Sequence, residues 1–191
     1  PIGPVVLPIR GLLAPKADGS LSGTLDVQVE SERGAIDGAL ALAVRERGID
    51  GDLTINTGSI RLGADMPLAF SGGVKLGWEQ GGHPQISAVL ELGAARVATT
   101  DLPPATLTVD MTDARWHARA TMPQDEGVSG LEATLTIADP YGEPHLSAAG
   151  KVMATPGAWI WPVLGLPHPR EGSAQLELRL EGPLPDGDLV S

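Results

Sequence analysis

From Ser20 to Gly63 apolar side chains recur at every second position or close to it: Leu21, Leu25, Val27 and Val29, then Ile36, Leu40, Leu42 and Val44, then Ile49, Leu53 and Ile55, then Ile60 and Leu62. A period of two is the period of a strand, so each run predicts one apolar face and one wetted face. The wetted positions hold Ser22, Thr24, Asp26, Gln28 and Glu30, then Asp37 and Arg45, then Asp52 and Thr54, then Arg61. Gly34, Gly48 and Gly58 fall between successive runs, each beside a polar or charged neighbour, and predict antiparallel strands joined as a meander.

The same alternation continues downstream. Val74, Leu76 and Trp78 follow Phe70 and the Gly72-Gly73 pair, and Gly81-Gly82-His83-Pro84 reads as a turn. Ile86, Ala88, Leu90 and Leu92 make the next strand, and residues 95–100 make another before Pro103-Pro104. Leu107, Val109 and Met111 pair with Trp116, Ala118 and Ala120 through a hairpin turn at Thr112 to Ala114. Leu131, Ala133, Leu135 and Ile137 end at Asp139-Pro140-Tyr141-Gly142, a turn with proline at its second position. Leu146 to Val152 and Leu176 to Glu181 complete the set, while residues 1–14, interrupted by Pro4 and Pro8, read as an edge strand or an irregular lead-in.

One segment departs from the strand pattern. Thr155 as N-cap and Pro156 at the first helical position predict a short helix near 156–164, ended or kinked by Pro162. Trp159 and Trp161, half of the four Trp residues, lie here. The segment reads either as a plug over an open end of the sheet or as a contact surface for a partner or a bilayer interface.

An apolar face of this extent must be covered, because large contiguous apolar patches are rare on the surface of monomers. A β-sandwich, a closed barrel, and a strongly curved antiparallel sheet whose apolar inside is a trough all meet that need. A parallel β-helix ranks behind them, since the strand intervals vary. The chain holds one Phe and one Tyr, so its inward positions are Leu, Val, Ile, Ala and Gly. That aliphatic lining suits acyl chains and suits equally a core packed on itself. The fold class expected is therefore all-β, an antiparallel meander forming a strongly curved sheet with one short helix, with a β-sandwich as the alternative.

Composition narrows the partners. A chain of 191 residues suits one β-rich domain. The net charge of −11 argues against nucleic acid and against electrostatic capture by anionic headgroups, so any lipid contact would be apolar. Cysteine is absent, which removes disulfides and thiolate metal sites. The chain opens at Pro1 in mid-pattern, which reads as a fragment of something longer, with targeting information outside it.

Neither a catalytic nor a metal site is expected. Asp26, Glu30, Asp110, Glu132 and Glu177 occupy wetted alternation positions, without the perturbing surroundings that an acid or base needs. His83, His145 and His168 each neighbour a proline in a turn, and His117 falls on a wetted strand face, so no ligand spacing arises. Asp50-Gly-Asp52 and Asp186-Gly-Asp188 read as turn chemistry rather than calcium loops. Nucleophile elbow, phosphate loop and dinucleotide fingerprint are all missing, so neither an enzyme nor a cofactor is expected.

Short strands such as Gly23 to Val29, Gly38 to Val44, Gly51 to Ile55 and Ala174 to Gly182, poor in aromatics and punctuated by Asp-Gly turns, resemble those of the AsmA-like envelope proteins, the group of TamB and YdbH. The late Trp161-Pro-Val-Leu-Gly-Leu-Pro167 stretch points to the YdbH-like branch. The resemblance implies a periplasmic protein of a Gram-negative bacterium, held at the inner membrane by a segment outside this chain. Its β-groove would carry phospholipids between inner and outer membrane. Acyl chains would then lie along Leu25, Val27, Leu40, Leu42, Leu53, Ile55, Leu90, Leu107, Val109, Leu135, Leu176 and Leu178. Other segments of the same chain would extend the groove, and Trp159 and Trp161 would be a surface for an envelope protein partner. A scaffold module similar to the type II secretion N protein, without lipid conduction, is the alternative.

Overall fold

The structure is a computed structural model and describes residues 9–31, 34–61, 67–97, 100–122, 130–158, 160–163, 165, 167–168 and 170–183. Strands β1 (Ile9–Gly11) and β2 (Ala14–Pro15) lead into β3 (Leu21–Ser31), β4 (Gly34–Arg45), β5 (Gly48–Arg61), β6 (Pro67–Glu79) and β7 (Gln85–Leu92). A small hairpin, β8 (Ala95–Val97) and β9 (Thr100–Leu102), precedes β10 (Ala105–Met111), β11 (Arg115–Met122), β12 (Leu131–Ala138) and β13 (His145–Ala154). The helix α1 (Ile160–Val163) and β14 (Ala174–Pro183) complete the described chain.

β8 and β9 pair only with each other, and the remaining strands form one antiparallel twelve-stranded sheet. Its order, β1-β3-β4-β5-β6-β7-β10-β11-β12-β13-β14, follows the chain, with β2 paired beside β1 along β3. The meander and the all-β class expected from the alternation are therefore present. The sheet is open, with its two outer edges at opposite ends of that order.

The expected turns at 18–19, 81–84, 112–114 and 139–142 lie between strands. Gly19, at φ 80°, sits in a conformation costly to residues with a Cβ, and the Asp18 carboxylate accepts hydrogen bonds from the Ser20 hydroxyl and amide. Gly58 and the Gly72-Gly73 pair behave otherwise. They lie inside β5 and β6, so the runs read as separate around Gly58 are one strand of 14 residues.

The change of phase between Ile55 and Ile60 is absorbed by a β-bulge: Asp37 pairs with Thr57 and Gly38 with Ile55, leaving Asn56 extra. Without it, Gly58 and Ile60 would turn to the opposite face from Leu53 and Ile55.

The β-sandwich does not form. Among the described residues no second sheet is present beyond the β8–β9 hairpin. The accessible surface of 13149 Å² compares with about 8600 Å² for a compact protein of 19.7 kDa. A single layer with both faces largely reachable by solvent accounts for the excess.

The helix is also shorter than expected. Residues 156–157 form a turn, the Ala158 amide donates to the Thr155 carbonyl at 3.0 Å, and among the described residues only the four of α1 are helical. Thr155 is not the N-cap. Its hydroxyl is buried without a partner, and its carbonyl is taken by Ala158 and by the Trp161 indole at 2.7 Å.

Candidate functional site

Directly opposed residues in an antiparallel pair share a face, so the register traces rows across the sheet. One row runs Leu25, Leu40, Leu53, Val74, Ala88, Val109, Ala118, Leu135, Ala148, Leu180. A second runs Val27, Gly38, Ile55, Gly72, Leu90, Leu107, Ala120, Ala133, Gly150, Leu178. A third runs Gly23, Leu42, Gly51, Leu76, Ile86, Met111, Trp116, Ile137, Leu146. Met122, Leu131, Val152 and Leu176 make a fourth near the far end of the last strands.

All of these positions have the same parity, so every residue expected to line a trough lies on one apolar face. Val74, Leu76, Ile86, Met111, Trp116, Ile137 and Leu146 share the face, and each already carried the signal of polar neighbours on both sides or one.

Along β3 to β7 the second row alternates large and small: Val27, Gly38, Ile55, Gly72, Leu90. Ile55, paired with Gly38 on one side and Gly72 on the other, is 5% exposed. A Cβ on Gly51 would lie 3.3 Å from Leu40 Cδ1 and 3.6 Å from Leu76 Cβ, and one on Gly58 would overlap the Phe70 ring. Toward β14 no such filling occurs. Leu135 is 42% exposed, Leu180 58% and Leu178 73%.

Aromatic residues gather at the two ends. The Tyr141 ring meets Trp116 edge to face at 5.8 Å and stacks on His83 at 3.7 Å, joining the β12–β13 and β6–β7 turns. At the other end Ala158, Ile160 and Trp161 pack with Ala154, Val152 and Ala174. Trp161, which the sequence leaves as either a plug or a contact surface, is 7% exposed and belongs to this cluster. Trp159 lies outside the described residues.

The opposite face is wetted, as the alternation requires. Arg119 bridges to Glu132 at 2.8 Å, His117 Nδ1 meets Thr136 Oγ1 at 2.9 Å, Thr106 Oγ1 donates to Glu91 at 2.9 Å, and Arg45 pairs with Asp50. A depression of about 720 Å³ is lined by two polar rows, including Thr24, Asp50, Asp52, Lys75 and Asp110, and by the Leu42–Gly51–Leu76 row between them. The apolar rows on either side of it contribute nothing, so it opens on the wetted face.

Among the described residues no group of His, Asp and Glu is placed to hold a metal ion. Asp26, Glu30, Asp110, Glu132 and Glu177 are all exposed. The Asp18 carboxyl is held below the usual carboxylate range by the Ser20 hydroxyl and then the Ser20 amide, which is turn chemistry.

No protein-family model, no curated protein and no solved structure matches the chain. The apolar face is thus the feature on which a functional reading rests.

Proposed function

We propose that this chain is a segment of a lipid-transfer bridge whose apolar face carries phospholipid acyl chains while headgroups stay in water. The observation that carries the reading is the union of Leu25, Val27, Leu40, Leu42, Leu53, Ile55, Leu90, Leu107, Val109, Leu135, Leu176 and Leu178 on one face of a single-layer sheet. A face of this kind gains about 0.8 kcal/mol for each methylene it withdraws from water, so holding a chain requires no chemistry.

In this reading the apolar face is the carrying surface, and the aromatic groups at either end of the strands limit it. The acidic balance of the chain keeps headgroup contact weak, which favours passage over storage. A bridge between two membranes belongs in the periplasm, anchored at the inner membrane, as the resemblance to AsmA-like proteins implies.

The test is native mass spectrometry with lipid extraction on protein purified from bacterial membranes in mild detergent. Phospholipid should co-purify and should be lost from Leu42→Asp, while Asp26→Ala should keep it. A lipid-free protein with intact strand content, or equal lipid in both variants, would remove the conduit reading and favour an interaction module of the envelope.

A further inference from the structure

The two edges of the sheet are not alike. At the first edge β1 and β2 share β3 as partner and are separated by Leu12 and Leu13, and Pro15 has no N–H to offer. Short strands, a break and a proline are the devices that blunt an edge against pairing. At the other edge β14 runs ten residues, with proline only at its end. Among the described residues no strand pairs with its outer side.

We propose that β14 pairs antiparallel with β14 of a second copy of this chain about a two-fold axis at Leu178. The sequence of the strand is self-complementary about that residue. Leu178 meets its own copy, Leu176 meets Leu180, Glu177 meets Arg179, and Gln175 meets Glu181. Both Glu177–Arg179 contacts are opposite in charge. Arg179 has no ion pair within its own chain among the described residues, and Glu177 is engaged only by the Gln175 amide at 2.7 Å.

Other registers are worse. Centring on Glu177 or on Arg179 sets like charges against each other, and a shift of half a step sets leucine against charge. Centring on Leu180 keeps an Arg179–Glu181 contact but shortens the ladder and brings Pro183 into it. Leu178 and Leu180 are the most exposed leucines of the apolar rows at 73% and 58%, and pairing covers both from the side. Opposed residues share a face, so the apolar rows of the two copies become continuous across the axis. The inference needs no lipid.

Sedimentation equilibrium on the whole chain tests it, with circular dichroism to verify strand content. A dimer is expected. Glu177→Arg and Arg179→Glu each replace two attractive contacts by two repulsive ones, and each should weaken the dimer roughly tenfold or more. The exchange variant carrying both substitutions should regain the original affinity, because it restores the opposite charges only in the Leu178 register. A monomer at high concentration, with or without lipid bound, overturns the proposal. So does a dimer that both single variants leave intact, or one that the exchange fails to rescue.

Discussion

The rings of His83 and Tyr141 stack 3.7 Å apart and 9° from parallel, although the turns that carry them belong to hairpins separated by β10 and β11. Three strand spacings, about 14 Å in a flat sheet, lie between β7 and β12. The turns therefore lean toward one another over the end of the β10–β11 hairpin, and Trp116 supports Tyr141 from the apolar face. This contact ties together strands that the hydrogen-bond ladder links only through intermediates.

Removing either ring should loosen that clasp. His83→Ala and Tyr141→Ala are each expected to lower stability, and a double-mutant cycle read by urea unfolding should return a coupling of about 0.5–1.5 kcal/mol. Tyr141→Ala should cost more than His83→Ala, since it also releases Trp116. Additive losses would mean that the stack contributes nothing of its own.

Gly58 and Phe70 form a second dependent pair. They are opposed in the register, and the ring occupies the space that a Cβ on Gly58 would need. Gly58→Val should destabilise by about 1–3 kcal/mol through overpacking. In the Phe70→Ala background the same change should cost far less. Equal costs in both backgrounds would show that backbone conformation, not the ring, demands glycine there.

Trp161 should behave as a core residue. It is buried with Ile160 and Ala158, and its indole donates to the Thr155 carbonyl. Trp161→Ala is expected to cost about 3–5 kcal/mol, and Trp161→Phe, which keeps an aromatic ring but loses the indole donor to the Thr155 carbonyl, somewhat less. Fluorescence of the indole should be poorly quenched by acrylamide in the folded chain. Ready quenching and unchanged stability would instead restore the exposed partner surface.

Much of the architecture is legible in the chain because its signal is local. The turns at Asp18-Gly19, Gly81 to Pro84, Thr112 to Ala114 and Asp139 to Gly142 are marked by their own residues, and the strands between them by alternation. Glycine misled where its role was not local. Gly58 reads as punctuation, yet it makes room for Phe70, and Gly72, at φ 142°, lies inside β6 where a Cβ would collide with the Val89 carbonyl of β7. A turn glycine and a packing glycine look the same until the neighbouring strand is known. Trp159 and Trp161 posed the same difficulty, since an aromatic pair beside a proline is written alike for a plug and for a contact surface.

The sequence by itself determined that the chain is a set of antiparallel strands with one apolar side, because a side-chain period of two is a property of each strand alone. Only the tertiary structure decided that these sides merge into one uninterrupted face. That outcome depends on register, which is set between strands by turn lengths and by the extra residue at Asn56. The tertiary structure also decided that no second sheet covers the face among the described residues and that Trp161 turns inward. Both are matters of what lies opposite a side chain across space, and no spacing along the chain encodes that.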